Sequence, residues 1–255
     1  MTKPFSYTTI CYDSVPMPDR ALDIFTPDQP TRKAAILFVH GGGWSAGARS
    51  VYHPIMHALI EHGWVCGSLD YRLSGVTALD QLDDVRLGRA LFAEHLQSRG
   101  NASDLVLVGS SAGGHLALLE GMTNHESKAA GIVTISAPMT FEPWDEMFPP
   151  IWDSMCAIAG QSVDDNPELY RHLSPYHHIS ENTPPICLLD GANEHMFPLH
   201  LAHQFIAKMK QHGRPIEHHI YANAEHGFFY NVTRLCQQKA FKDFLKFLER
   251  TETSL

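Results

Sequence analysis

Short runs that are apolar at every position alternate along this chain with longer stretches in which apolar residues recur every three or four positions. The runs lie at residues 34–39, 64–69, 105–108, 131–135 and 186–189. Brief segments without polar alternation are expected for strands covered on both faces, as in a parallel sheet. Between them, residues 78–97 place Leu82, Val85, Phe92 and Leu96 at helical spacing, and Gly100 follows as a stop signal. Residues 198–211 and 232–250 read the same way, with Phe241, Phe244 and Phe247 along one face of the last helix. Residues 8–14 and 21–25 read as a pair of hairpin strands at one sheet edge, and 216–221 as a further strand. Strands alternating with helices predict an α/β architecture with right-handed crossovers and helices on both faces of the sheet. Residues 141–170 break the rhythm. They carry Pro143, Pro149, Pro150 and Pro167 among Trp144, Phe148 and Trp152, and read as a short excursion within one domain spanning 1–255.

Composition narrows the picture. The chain has 255 residues, 44% of them hydrophobic and 18% charged, with a formal net charge of −9. That sign argues against a general nucleic-acid binder, which needs a basic face for phosphates, and against attachment to an anionic membrane. No apolar run approaches the roughly 20 residues that span a bilayer. Cys11, Cys66, Cys156, Cys187 and Cys236 are scattered with no CxxC pair, so reduced thiols and a cytoplasmic location are expected, with no signal peptide. The 17 histidines form no HExxH motif. His53 and His57 could share a helix face, but no catalytic Glu lies between them, and neither a catalytic metal nor an organic cofactor is expected.

Gly109-Ser110-Ser111-Ala112-Gly113 fits G-x-S-x-G directly after a strand-like run and before a helix-like one. A serine on so sharp a turn projects its hydroxyl above the sheet edge. Only Ser111 has glycine at both −2 and +2, so it is the expected nucleophile. His40-Gly41-Gly42-Gly43-Trp44 follows the first buried run. Such a loop can present backbone N–H groups to a developing oxyanion, which assigns Gly42 and Gly43, with Ala112 from the turn after the nucleophile. No Lys-Ser or Lys-Thr follows, as a phosphate-binding loop would require. His226 lies between the 216–221 strand and the last helix, where a general base can reach Ser111. The chain order serine, acid, histidine then calls for a carboxylate after the fifth run. Glu194, in the loop, is better placed than Asp190 at the strand end, and Asp190 remains the alternative.

These motifs resemble the α/β-hydrolase fold superfamily in its esterase/lipase branch. They are similar to the hormone-sensitive-lipase-like and feruloyl- and acetyl-esterase-like groups. The matching pieces are Leu22-Asp23-Ile24-Phe25, H-G-G-G at 40–43, Asp70-Tyr71-Arg72-Leu73, G-x-S-A-G-G at 109–114, the 191–198 loop and His226-Gly227. The resemblance implies a mostly parallel eight-stranded sheet. It also implies a Ser111–Glu194–His226 triad, with Glu standing where the family usually has Asp. Only 39 residues precede His40, so a minimal cap is expected, with the 141–170 excursion as its sole candidate. Trp44, Trp144, Phe148 and Trp152 are then the candidate substrate-contacting residues, and Arg72 is expected to pair with Asp83 or Asp84 and brace the oxyanion loop.

The expected function is a cofactor-free serine hydrolase acting on small carboxylic esters through an acyl-enzyme. An arylformamidase, which shares H-G-G-x-W, is the chemical alternative. A non-catalytic ligand-binding protein on the same scaffold is the alternative of another class. A small-molecule ester is the expected partner, and a homodimer stays open.

Overall fold

The computed structural model describes residues 4–12, 20–101 and 104–253. Its strands are β1 (Phe5–Cys11), β2 (Ala21–Pro27), β3 (Ala34–Val39), β4 (Cys66–Leu69), β5 (Asp104–Ser110), β6 (Gly131–Ile135), β7 (Ile186–Asn193) and β8 (Ile216–Glu225). They form one sheet in the order β1-β2-β4-β3-β5-β6-β7-β8. β2 runs antiparallel to both its neighbours, and every pairing from β4 to β8 is parallel. The first strand starts earlier than its hydropathy implied, because Phe5 stacks on Phe25 across the pair with ring centroids 5.2 Å apart. The Asp13–Ser14 end of the expected strand lies outside the described residues.

The helices are α1 (His53–Ile60), α2 (Ala78–Ser98), α3 (Ala112–Thr123), α4 (Pro149–Ala159), α5 (Pro167–His172), α6 (Leu199–Gln211) and α7 (Leu235–Thr253). The alternation of β3 sorts the core into two layers. Ala35, Leu37 and Val39 belong to one layer with Leu82, Val85 and Phe92 of α2, Leu116 of α3 and Phe205 of α6. Ala34, Ile36 and Phe38 face α1 and Phe244, Phe247 and Leu248 of α7. Both faces are therefore covered, which is why strands such as β3 are apolar at every position.

Two local features explain where helices begin. Thr77 caps α2 by accepting from Asp80 N–H, while the Asp80 carboxylate accepts from Thr77 N–H, a reciprocal arrangement that satisfies two otherwise unpaired donors. α7 begins at Leu235 rather than Val232, because the Gln237 side-chain oxygen accepts the N–H groups of Thr233 and Arg234 at 3.1 and 2.8 Å and holds them out of the helix.

The 141–170 excursion holds two helices that periodicity did not reveal. α4 and α5 each open on proline in the first turn, where a missing N–H costs nothing. Met155, Ile158, Tyr170 and Leu173 bury into the same layer as α3, so the excursion is a compact cover near the C-terminal edge of β6.

Candidate active site

The turn between β5 and α3 is built by contact. A Cβ on Gly113 would stand 2.1 Å from Val39 O, and one on Gly109 would stand 2.2 Å from Gly113 O. A side chain at 113 would separate α3 from β3, and one at 109 would separate α3 from β5. Ser111 between them is held at φ 53, ψ −123, a region that a non-glycine residue enters only when its surroundings force it. Its N–H donates to Ile135 O at 2.8 Å and its carbonyl accepts from His115 N–H at 3.0 Å. Ser110, one residue earlier, is fully buried.

His226 follows β8, and its Nε2 lies 2.9 Å from Ser111 Oγ. Its Nδ1 lies 2.9 Å from Glu194 Oε2. Nδ1–H therefore donates to the carboxylate, leaving Nε2 to accept the serine hydroxyl. The second Glu194 oxygen accepts the N–H groups of Met196 and Phe197 at 2.8 and 3.2 Å, which orients the carboxylate. Burial alone would push the Glu194 carboxyl up, but the His226 hydrogen bond and charge and the Met196 N–H outweigh it and hold it below the ordinary range. Asp190 sits beside a different histidine: its Oδ2 is 2.9 Å from His218 Nε2.

The 40–44 loop lies against this line. Gly42 and Gly43 take positive φ (130° and 58°), and Trp44 follows at 60°. Ser45 and Ala46 donate to Gly42 O at 3.2 and 3.0 Å, closing a tight turn, and no heavy atom lies within 4 Å of where a Gly43 side chain would point. Ala112 is the first residue of α3, so its N–H has no partner within the helix. The loop is held from behind. His40 is buried and stacks on Tyr71, whose hydroxyl donates to His40 O at 2.8 Å. Gln81 Nε2 donates to Trp44 O at 2.6 Å and Arg72 O at 2.7 Å. Arg72 Nε meets Asp84 at 2.7 Å rather than Asp83, so the ion pair holds the strand end and Gln81 carries the link to the loop.

The four candidate substrate contacts are placed differently from one another. Trp44 is only 1% exposed; its indole N–H donates to His115 Nδ1 at 3.3 Å and its ring meets Phe141 edge-on, so it packs beneath the loop. Trp152 packs on Tyr170. Phe148 is exposed at the start of α4. Trp144 packs on Phe197, which itself packs on the His226 ring. A cavity of about 410 Å³ opens beside Trp144, lined also by Thr140, Glu142, Tyr176, His200 and Gln204.

Three contributors escaped the sequence reading: Phe197, Gln81 and His115. His115 is fully buried, with Nε2–H donating to Leu173 O at 2.7 Å; it ties Trp44 of the 40–44 loop to the end of α5. A polar residue leading the apolar run at 116–119 of α3 was the available signal, since a buried polar group implies a partner.

The BD-FAE family profile matches residues 22–209, and that of the dienelactone hydrolase family matches 168–251. Among curated proteins, Esterase LipC of Mycobacterium tuberculosis is 26% identical over 231 residues, covering 83% of this chain and 57% of LipC. The chain spans about half the length of the curated relatives it matches. Among solved structures, Thermogutta terrifontis esterase 2 with bound propionate is 25% identical, with a TM-score of 0.79, 96% of this chain and 94% of that one covered. Esterase B of Lactobacillus rhamnosis is 17% identical with a TM-score of 0.84, covering 99% of this chain and 88% of that one, a likeness of fold. With its eight-stranded sheet and the serine turn at the end of β5, the chain belongs to the BD-FAE family, within the esterase/lipase branch of the α/β-hydrolase fold.

Proposed function

We propose that this protein is a serine carboxylesterase that cleaves small carboxylic esters through an acyl-enzyme, with Ser111, His226 and Glu194 as its triad. The unbroken line from Ser111 Oγ through the imidazole to Glu194, 2.9 Å at each step, carries the reading. His226 Nε2 takes the hydroxyl proton as Ser111 Oγ attacks the ester carbonyl. The N–H groups of Gly42, Gly43 and Ala112 receive the oxyanion. Glu194 holds the imidazole in the tautomer that can accept this proton and stabilises the imidazolium. Collapse returns the proton from Nε2 to the leaving alkoxide. Water, deprotonated by His226, then releases the acid and restores Ser111.

Nothing in this cycle calls for a metal or organic cofactor. Trp144 and the cavity beside it supply room for one arm of the substrate. Among the described residues no helix is long and apolar enough to cross a membrane.

The test is labelling with a fluorophosphonate, followed by kcat/KM on a series of p-nitrophenyl esters of increasing acyl length, with N-formylkynurenine in parallel. Labelling at Ser111 with turnover of the short esters is the expected result. Labelling with turnover of the formamide alone would assign the site to amide chemistry, and no labelling would remove the enzyme reading.

A further inference from the structure

Cys187 and Glu217 are direct register partners on β7 and β8, and Leu189 faces His219 two positions along. Cys187, Glu217 and His219 therefore share the sheet face covered by α7. Their ligand atoms, one from each residue, all lie within 4.8 Å of one another. Among the described residues no other group of three metal-ligating side chains meets that separation.

One distance inside this group resembles ligand spacing more than hydrogen bonding. His219 Nε2 stands 3.4 Å from Glu217 Oε2, long for a charge-assisted hydrogen bond. Two ligands held at about 2.0–2.1 Å by a tetrahedral ion stand roughly 3.3 Å apart. The opposite ring nitrogen, Nδ1, faces Asp243 of α7 at 3.8 Å, and Tyr221 OH donates to that carboxylate at 3.2 Å. A carboxylate behind a ligating imidazole is the usual support of a metal-bound histidine. Arg250 holds the other side of Glu217, with its Nε 3.1 Å and its Nη2 2.6 Å from Oε1. Nη2 also reaches Oε2 at 2.5 Å, so an ion would share that oxygen's region with the guanidinium while Oε1 stays with the arginine.

We propose that Cys187, Glu217 and His219 form a binding site for a divalent transition-metal ion of the zinc class, clipping the edge strand β8 to β7 beneath α7. A thiolate, an imidazole and a carboxylate are the donor types such an ion takes, whereas magnesium and calcium favour all-oxygen sets. On binding, a metal–sulfur bond replaces the Cys187 S–H bond and the proton leaves to solvent. Because that proton is released, affinity rises with pH. The clip lies away from the chemistry but on its supports: Glu194 follows Cys187 by seven residues, and His226 follows His219 by seven. It holds together the two strands that lead to the acid and the base. The proposal stands whether or not the esterase reading does.

The experiment is a titration of EDTA-treated, desalted protein with Co²⁺ at pH 7.5. The expected result is saturation at one equivalent, with a near-ultraviolet thiolate-to-cobalt charge-transfer band that Cys187→Ser abolishes. His219→Gln, at a half-exposed position, should weaken binding by at least the roughly tenfold that even an outer-sphere change costs. Zn²⁺ should raise Tm in the unaltered protein and not in either variant, while both variants keep the far-ultraviolet circular dichroism and the cooperative melting of the metal-free protein as the check that they fold. No band at one equivalent, a band that survives Cys187→Ser, or unchanged affinity in His219→Gln overturns the proposal.

Discussion

Glu194 gives one carboxylate oxygen to His226 Nδ1 at 2.9 Å and the other to two backbone N–H groups of its own loop. The loop thus builds its own carboxylate holder, and the longer glutamate side chain reaches the imidazole without entering β7. Asp190, inside β7, is occupied with His218 at 2.9 Å.

That division predicts unequal effects. Glu194→Gln keeps the shape but removes the charge that stabilises the imidazolium, and kcat should fall by at least about 10². Asp190→Asn should change kcat by less than about tenfold and act mainly on stability, through a hydrogen bond to a charged group worth about 1.5–3 kcal/mol. Steady-state kinetics on p-nitrophenyl acetate and urea melts of both variants decide it. A dead Asp190→Asn beside an active Glu194→Gln would reassign the acid.

Ser111→Ala should abolish fluorophosphonate labelling and turnover while Tm stays close to that of the parent protein. The neighbouring Ser110 is buried below the turn, so Ser110→Ala should still label. Intact-mass spectrometry after labelling reads both outcomes, and equal loss in the two variants would contradict the placement of the nucleophile.

Gly113→Ala tests the turn itself. The added Cβ would meet Val39 O at 2.1 Å and His40 O at 2.3 Å, both backbone atoms that cannot swing aside. Overpacking of this kind costs about 1–3 kcal/mol, and here the strain also displaces the loop carrying Gly42 and Gly43. The variant should lose kcat by more than its drop in Tm explains. Full activity with only a lowered Tm would argue that the loop moves independently of α3.

His115 predicts a pH signature. Burial pushes its imidazole down to about 4, whereas in the unfolded chain an imidazole titrates at about 6.5. Between those values the unfolded state binds a proton that the folded state refuses. Stability is therefore lost as pH falls from about 6.5 toward 4, by up to about 3 kcal/mol from this residue. His115→Gln keeps a donor and an acceptor near Trp44 and Leu173 but cannot titrate. Its unfolding free energy should start below that of the parent at pH 7, and the gap should narrow as the pH drops. Urea melts of both proteins at pH 7, 6, 5 and 4 measure the gap, and a constant difference across the series would mean that His115 titrates alike in both states.

The sequence by itself determined the strand core and the turn at Ser111, because both rest on local constraints. A strand buried on both faces must be apolar at every position, as 34–39 is, and a turn pressed against neighbouring backbone admits only glycine at 109 and 113. The tertiary structure alone decided which partner each polar side chain meets. Asp190 and Glu194 are equally good carboxylates in sequence; the pairing of β7 with β8 brings His218 to one and the loop beyond brings His226 to the other. Trp44 reads as a pocket residue until the fold places His115 beneath it. The helices of 141–170 stay hidden because their apolar residues answer to the surface of the α3 layer rather than to a period of their own. Hydrophobic period and backbone sterics act within a few residues of the chain, whereas the partner of a buried polar atom is chosen by elements tens of residues away.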